Sequence, residues 1–252
     1  MRIVFKFFSI LCIALALSNC KNNVDTEKIK FGVDASTLPY SYLENNELKG
    51  FLIDIDKEIA AKLKRLPEFH IMQWNDMIAA LNNNIIDCAS GMTETAEKKK
   101  NVDFSTQYIF DYIAVIFKTD NNFQRKTDLD NKKVAITLGG APEIFTRKYL
   151  ENTHIIPSNN NPLSMELLKS GHIDAIITEV QAAIIFCKKN DGYSYKIIER
   201  VSDGAGFAMK KNSPLLPKIN KALEELIDEG TVDELYKKWF NNIDLGEENI
   251  LK

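Results

Sequence analysis

Cysteine and histidine are scarce in this chain, with four of the former and three of the latter among 252 residues. His70, His154 and His172 stand far apart and share no ligand spacing with carboxylates or cysteines, so no metal site is supported. Cys88 and Cys187 each sit in an apolar run, which reads as two buried thiols rather than a disulfide. An excess of one charge is missing too, since 32 basic and 35 acidic residues are mixed along the chain. Nucleic-acid binding needs clustered basic surface, which this balance does not provide. There is no phosphate loop and no nucleophile elbow. Past the first segment no apolar run approaches the ~20 residues that a membrane-spanning helix requires.

The first segment itself reads as a targeting signal. Arg2 and Lys6 supply a positive start, and Phe7 to Leu17 form an apolar stretch too short to span a bilayer comfortably. Leu17-Ser18-Asn19-Cys20 resembles a bacterial lipobox, although Asn19 replaces the usual small residue before the cysteine. We therefore expect a signal peptide over 1–19, lipid attachment at Cys20 and a polar tether over 20–27. An ordinary signal peptide and an uncleaved signal anchor are the alternatives.

About 230 residues remain, enough for one large domain or two lobes. Lys30 to Asp34 reads as a strand ending in an acid, followed by a turn region through Pro39. Phe51 to Leu66 carries Leu52, Ile55, Ile59 and Leu63 at helical spacing. A strand over Phe69 to Met72, a helix over Trp74 to Leu81 and a strand over Ile85 to Ala89 follow. The second half repeats this grammar: a strand at Lys133 to Ile136, a glycine turn, helices over Glu143 to Leu150 and Pro162 to Lys169, and a strand over Ile173 to Glu179. Alternating strands and amphipathic helices predict an α/β fold with mostly parallel strands. The segments Ala80 to Gly91 and Leu167 to Glu179 both read as helix end, polar stop, Ile-Asp and strand, which pairs Asp87 with Asp174 and favours two similar lobes.

Ser90-Gly91-Met92-Thr93-Glu94-Thr95-Ala96-Glu97-Lys98-Lys99-Lys100-Asn101-Val102-Asp103-Phe104-Ser105 is the most informative stretch. It resembles a ligand-binding signature of bacterial extracellular solute-binding proteins of family 3, which serve amino-acid ABC transporters. The closing segment, an amphipathic helix stopped at Gly230 and a second helix ending in Trp239-Phe240, resembles the same family, with both aromatics as packing residues. The resemblance covers roughly Lys28 to Phe240. It implies a two-lobed periplasmic-binding-protein fold of type II, with lobe 1 at 28–112 and 208–252 and lobe 2 at 113–207. Two crossing strands, near Tyr112 to Phe117 and Gly206 to Lys210, would join the lobes, and hinge closure would trap a ligand between them.

Carried over residue by residue, the resemblance nominates Asp34 and Glu179 for a ligand ammonium and Tyr40 and Tyr42 as aromatic walls. Thr37 stands where relatives place a stacking aromatic, so that wall is either missing or comes from elsewhere. Ser90 and Gly91 would offer backbone groups and Thr93 a hydroxyl. Lys98 stands where the family has an arginine that clamps a carboxylate, and Gly139, Gly140 and Ala141 match the second-lobe loop that completes the clamp. Lys98 also reads as part of a solvated charge run with Lys99 and Lys100. An ammonium is a point charge rather than a bidentate fork, Gly140 lacks the family's threonine hydroxyl, and Glu179 is one methylene longer than the family's aspartate. This altered clamp points to a cationic or amine ligand, or a modified amino acid, unless other residues compensate.

The expected function is the substrate-binding component of an ABC transporter, a lipid-anchored monomer in the periplasm or at the cell surface. It would capture an amino acid or a related amine, hand it to a permease, and need no cofactor. The alternatives are an enzyme on the same scaffold, since some relatives carry dehydratase or lytic transglycosylase chemistry, and a ligand-sensing module. Glu94 and Glu179 are the only acids of interest for catalysis, and nothing pairs with them as a nucleophile.

Overall fold

Successive side chains of a strand point to opposite faces, and in this protein they divide each of two sheets between two apolar layers. The computed structural model describes residues 27–109, 112–200 and 204–240. The chain begins with β1 (Lys28–Val33) and a small antiparallel ribbon of β2 (Ser36–Thr37), β3 (Ser41–Glu44) and β4 (Glu47–Lys49). Then come α1 (Phe51–Lys62), β5 (Leu66–Ile71), α2 (Met77–Asn82), β6 (Cys88–Thr93) and β7 (Val102–Phe104). A second unit holds β8 (Tyr112–Lys118), β9 (Lys133–Thr137), α3 (Ala141–Tyr149), β10 (His154–Ser158), α4 (Asn161–Lys169), β11 (Ala175–Glu179), α5 (Val180–Lys189) and β12 (Tyr193–Arg200). The chain then returns through β13 (Ala205–Lys210), α6 (Leu216–Asp228) and α7 (Thr231–Phe240).

The sheets have matching plans. The first is ordered β5-β1-β6-β13-β7 and the second β10-β9-β11-β8-β12. In each, four strands run in the same direction and only the fourth in the order, β13 or β8, runs against them, so the strands are mostly parallel as expected. Ile29, Phe31 and Val33 of β1 face α1, α6 and α7, while Ala89 and Met92 of β6 face α2. In the second sheet Ile113, Val115 and Phe117 share a layer with Phe145 of α3. Ala114 and Ile116 share the other with Leu168 of α4 and Val180 and Ala183 of α5.

The paired aspartates explain why the weak repeat in the sequence is structural. Asp87 Oδ2 accepts from the Lys30 amide at 2.8 Å while its own amide donates to Lys30 O at 2.9 Å. Asp174 does the same to Lys133, with both contacts at 2.8 Å. Each aspartate therefore stitches the entry of its lobe's third strand to the start of the first.

Several expected boundaries shift. Helix α1 ends at Lys62 rather than Leu66, because Lys64 takes a left-handed φ of 54° and the Arg65 amide turns back to Ala60 O at 2.9 Å. Trp74 to Asp76 form a single 3-10 turn before α2. Residues Ser90 to Thr93 belong to strand β6 rather than to a loop. The segments expected to cross between lobes are ladder strands: Tyr112 pairs with Arg200 in the second sheet and Ala205 with Thr93 in the first. Residues 110–111 and 201–203, which separate those sheets along the chain, lie outside the described residues, as do the signal segment and Cys20.

The packing role read for the C-terminal aromatics is visible in α7. Phe240 is 5% exposed and sits 5.1 Å from the rings of both Tyr40 and Phe51. Trp239 donates its indole N–H to Asp54 of α1 at 2.8 Å.

One buried group is expensive. Asp56 of α1 is fully buried, its Oδ2 accepts from the Ser90 hydroxyl at 3.1 Å, and its Oδ1 has no partner among the described residues. Burial raises its pKa well above the usual carboxylate value. A folded-state pKa above the unfolded one means that the folded protein binds the extra proton, so this group subtracts stability as pH rises past the unfolded value. Asp56→Asn should accordingly raise the melting temperature near pH 8, by about 2–4 °C for each kcal/mol gained. The gain over wild type should shrink as pH falls through the unfolded carboxylate value of 3.8 toward ~3, where Asp56 becomes neutral in both states. Parallel melting curves across that range, followed by circular dichroism, would show that Asp56 has its ordinary affinity for protons.

Candidate functional site

The ends of strands from both sheets converge on one cleft. In open α/β sheets that is where ligands lie, beyond the carboxyl ends of the strands. The space between the lining residues amounts to about 860 Å³, part of it open to solvent.

Asp34 follows the last residue of β1 and Glu179 is the last residue of β11, so the two acids enter the cleft from opposite lobes. Asp34 Oδ1 accepts from the amide and hydroxyl of Ser36, at 3.1 and 2.5 Å. Burial nevertheless raises its pKa, and the two Ser36 bonds only partly offset that. Glu179 is held by Thr178, whose hydroxyl lies 2.9 Å from Glu179 Oε2 and 3.1 Å from Asn161 Oδ1. Among the described residues lining the cleft there is no lysine or arginine. Among its described lining residues the cleft therefore presents two acids and no compensating cation.

Its neutral polar groups are of two kinds. Thr93 closes β6 and Thr137 closes β9; the Thr137 hydroxyl is buried without a partner among the described residues. Gly140, Ala141 and Pro142, on the same lobe as Thr137, bring the N-terminus of α3 to the cleft. A helix start offers amide N–H groups and the positive end of the helix dipole. The Glu143 carboxylate closes the preceding turn by accepting from the Gly139 amide at 2.6 Å. The apolar walls come from Tyr40, Leu52, Trp74 and Ile109.

The structure thus brings Asp34, Tyr40, Gly91, Thr93, Gly140, Ala141 and Glu179 together, and leaves other nominated residues outside. Tyr42 turns away, its ring edge-on to Trp239 at 6.2 Å, because alternation along β3 gives the cleft to Ser41. Ser90 faces inward to Asp56. Lys98 Nζ donates to Thr93 O at 3.1 Å and, across the cleft, to Gly139 O at 2.6 Å, and it does not line the ligand space. Gly139 lies behind that space, against Trp74 and Asn75. Glu94 pairs with Lys99.

Sequence reasoning missed Trp74, Thr137 and Asn161. Thr137 ends a strand and Trp74 follows closely after one, so the strand-end rule that picked Asp34 and Glu179 applied to them equally. Trp74 also answers the missing aromatic at Thr37: the wall comes from the connection after β5.

The comparisons with known proteins agree with this geometry. Residues 29–242 match the family model of bacterial extracellular solute-binding proteins, family 3. The arginine-binding extracellular protein ArtP of Bacillus subtilis is 33% identical over 240 residues, covering 91% of this chain and 94% of that protein. An ancestral arginine-binding protein solved with glutamine bound superposes with a TM-score of 0.80 at 36% identity, covering 85% of this chain and 98% of that one. An ancestral amino-acid-binding protein described as a precursor of cyclohexadienyl dehydratase gives a TM-score of 0.77 at 32% identity, over 85% of this chain and 95% of that one. In its sequence and in its doubled α/β plan, this chain belongs to the bacterial extracellular solute-binding proteins of family 3.

Proposed function

We propose that the protein captures a cationic amino acid, arginine in the first place, and delivers it to an ABC permease. The carrying observation is the pair Asp34 and Glu179 in a cleft with no lysine or arginine among the described lining residues. Two carboxylates facing one small space repel each other and favour a ligand that brings positive charge. An amino acid with a basic side chain has two cationic groups, one for each acid, while its carboxylate meets the N-terminus of α3 and the hydroxyls of Thr93 and Thr137. Trp74 and Tyr40 are suited to pack on a planar guanidinium, which stacks on aromatic faces.

The test is calorimetric titration with L-arginine, L-lysine, L-glutamine and L-glutamate, backed by thermal shift. A ligand at a hundredfold excess over its dissociation constant stabilises the folded state by about 2.7 kcal/mol. Basic amino acids should bind tightest and glutamate not at all. Tighter binding of glutamate, or equal binding across the series, would overturn the charge argument.

In this reading the chain is a binding protein, monomeric, with one lobe built from 27–109 and 204–240 and the other from 112–200, and without turnover of its ligand. The ArtP likeness supports binding rather than catalysis. Lipid on Cys20 would hold the protein to the outer face of a bacterial membrane. Cys20→Ala should release it into the soluble fraction, as followed by fractionation and immunoblotting. Continued sedimentation with membranes would point to an uncleaved signal anchor instead.

A further inference from the structure

Lys98 stands where the resemblance places the family's carboxylate clamp, but it does not line the cleft, and its ammonium joins backbone carbonyls of the two lobes. The residue is half-buried, on the turn that follows β6 in the first lobe. Its ammonium bonds Thr93 O at 3.1 Å within that lobe and Gly139 O at 2.6 Å in the other. The Gly139 peptide is gripped on its remaining sides. Its amide donates to Glu143 of α3 at 2.6 Å, and a side chain at its Cα would meet Asn75 Oδ1 at 3.2 Å and the Trp74 indole at 3.4 Å, both from the first lobe.

We propose that Lys98 is a closure residue, a strut that seats the Gly139 turn of one lobe on the other, rather than the group that grips the ligand. It acts on ligand retention through the lobe arrangement, as a positioning residue. The claim concerns the lobes themselves and does not depend on which solute is bound.

Closure has a titration signature. Burial lowers the Lys98 pKa from its ordinary value to about 8, opposed by the nearby carboxylates of Glu143 on α3 and Glu97 on its own turn. Glu143 is itself paired with Arg147 at 2.7 Å. A group whose pKa is lower in the closed form binds fewer protons there, so raising pH through about 8 favours closure. The neutral amine still carries two N–H donors, one for each carbonyl it meets.

Small-angle scattering of the ligand-free protein between pH 7 and pH 9.5 tests this, comparing wild type with Lys98→Met, which keeps the stem and removes the donors. The wild-type radius of gyration should be the smaller and should fall as pH rises. The variant should stay expanded and flat, and its affinity for L-arginine should drop about ten- to a hundredfold, the loss expected for a hydrogen bond to a charged group. Matching circular dichroism establishes that the variant is folded; Lys98→Leu, which also lacks donors, replaces it if it is not. Coincident scattering curves would overturn the proposal. So would parallel ones, which would assign the difference to packing of the stem.

Discussion

Glu179→Ala is expected to weaken L-arginine binding by roughly 30-fold to several-thousand-fold. That range follows from the ~2–5 kcal/mol cost of removing one partner of a buried, hydrogen-bonded charge pair. Much of the cost arises because the ligand's cation is left in the cleft without its counter-charge. Glu179→Asp restores a carboxylate one methylene back and should recover a large part of the loss. At the other wall Asp34→Asn is the cleaner variant, because its amide oxygen can still accept the two Ser36 bonds that organise the turn while the charge disappears. Burial raises the Asp34 pKa, so wild-type affinity should decline at mildly acidic pH, as that carboxyl takes up its proton and ceases to attract a cation. The Asn variant should lack that decline. Calorimetry at two pH values reads both effects. Wild-type affinity in both single variants would remove these acids from the ligand's surroundings.

Gly50→Ala is expected to cost more than about 4 kcal/mol, in the range reached only by severe packing or backbone defects. Gly50 has φ 132° and ψ 169°, a region that is essentially restricted to glycine. A Cβ there would lie 2.2 Å from Tyr40 O and 2.6 Å from its carbonyl carbon. The turn cannot retreat, because Pro39 O and Tyr40 O accept the first amides of α1, from Phe51 at 3.0 Å and Leu52 at 2.9 Å. These carbonyls cap the helix in place of a side chain. At about 2–4 °C per kcal/mol the variant should melt some 10 °C lower or fail to accumulate in soluble form. Ligand binding should suffer as well, since Tyr40 and Ser41 line the cleft. A wild-type melting temperature would show that α1 and the turn can part without loss.

How much of this was legible in the sequence depends on how local each signal is. The strand-helix alternation, the echoing Ile-Asp segments at Asp87 and Asp174 and the strand-end acids all express short-range rules, and they were readable. The bonds those aspartates make to Lys30 and Lys133 were not. Asp34 and Glu179 stand out because a polar residue at the end of an apolar strand has few places to point other than a cleft. The reversed direction of β8 and β13 was not recognised, since pairing direction is decided by where the chain returns from. Tyr42 was misplaced by one step of the β3 alternation, which only the ribbon's own register settles. Lys98 was harder still: nothing in a run of three lysines tells which one reaches the opposite lobe. Asp56 carried no signal either. A charged residue at that point of an amphipathic helix reads as surface until the packing of Ser90 behind it is known.

The apolar layers of the two sheets are separate, and none of the four clusters draws residues from both lobes. Fold stability and domain motion are thereby uncoupled in this protein. Evolution, or an engineer, can retune the swing of one lobe against the other by editing a handful of polar contacts such as Lys98 to Gly139 without touching either core. Variants of that kind would pass a thermal-denaturation screen run without ligand and reveal themselves in lobe separation and ligand retention.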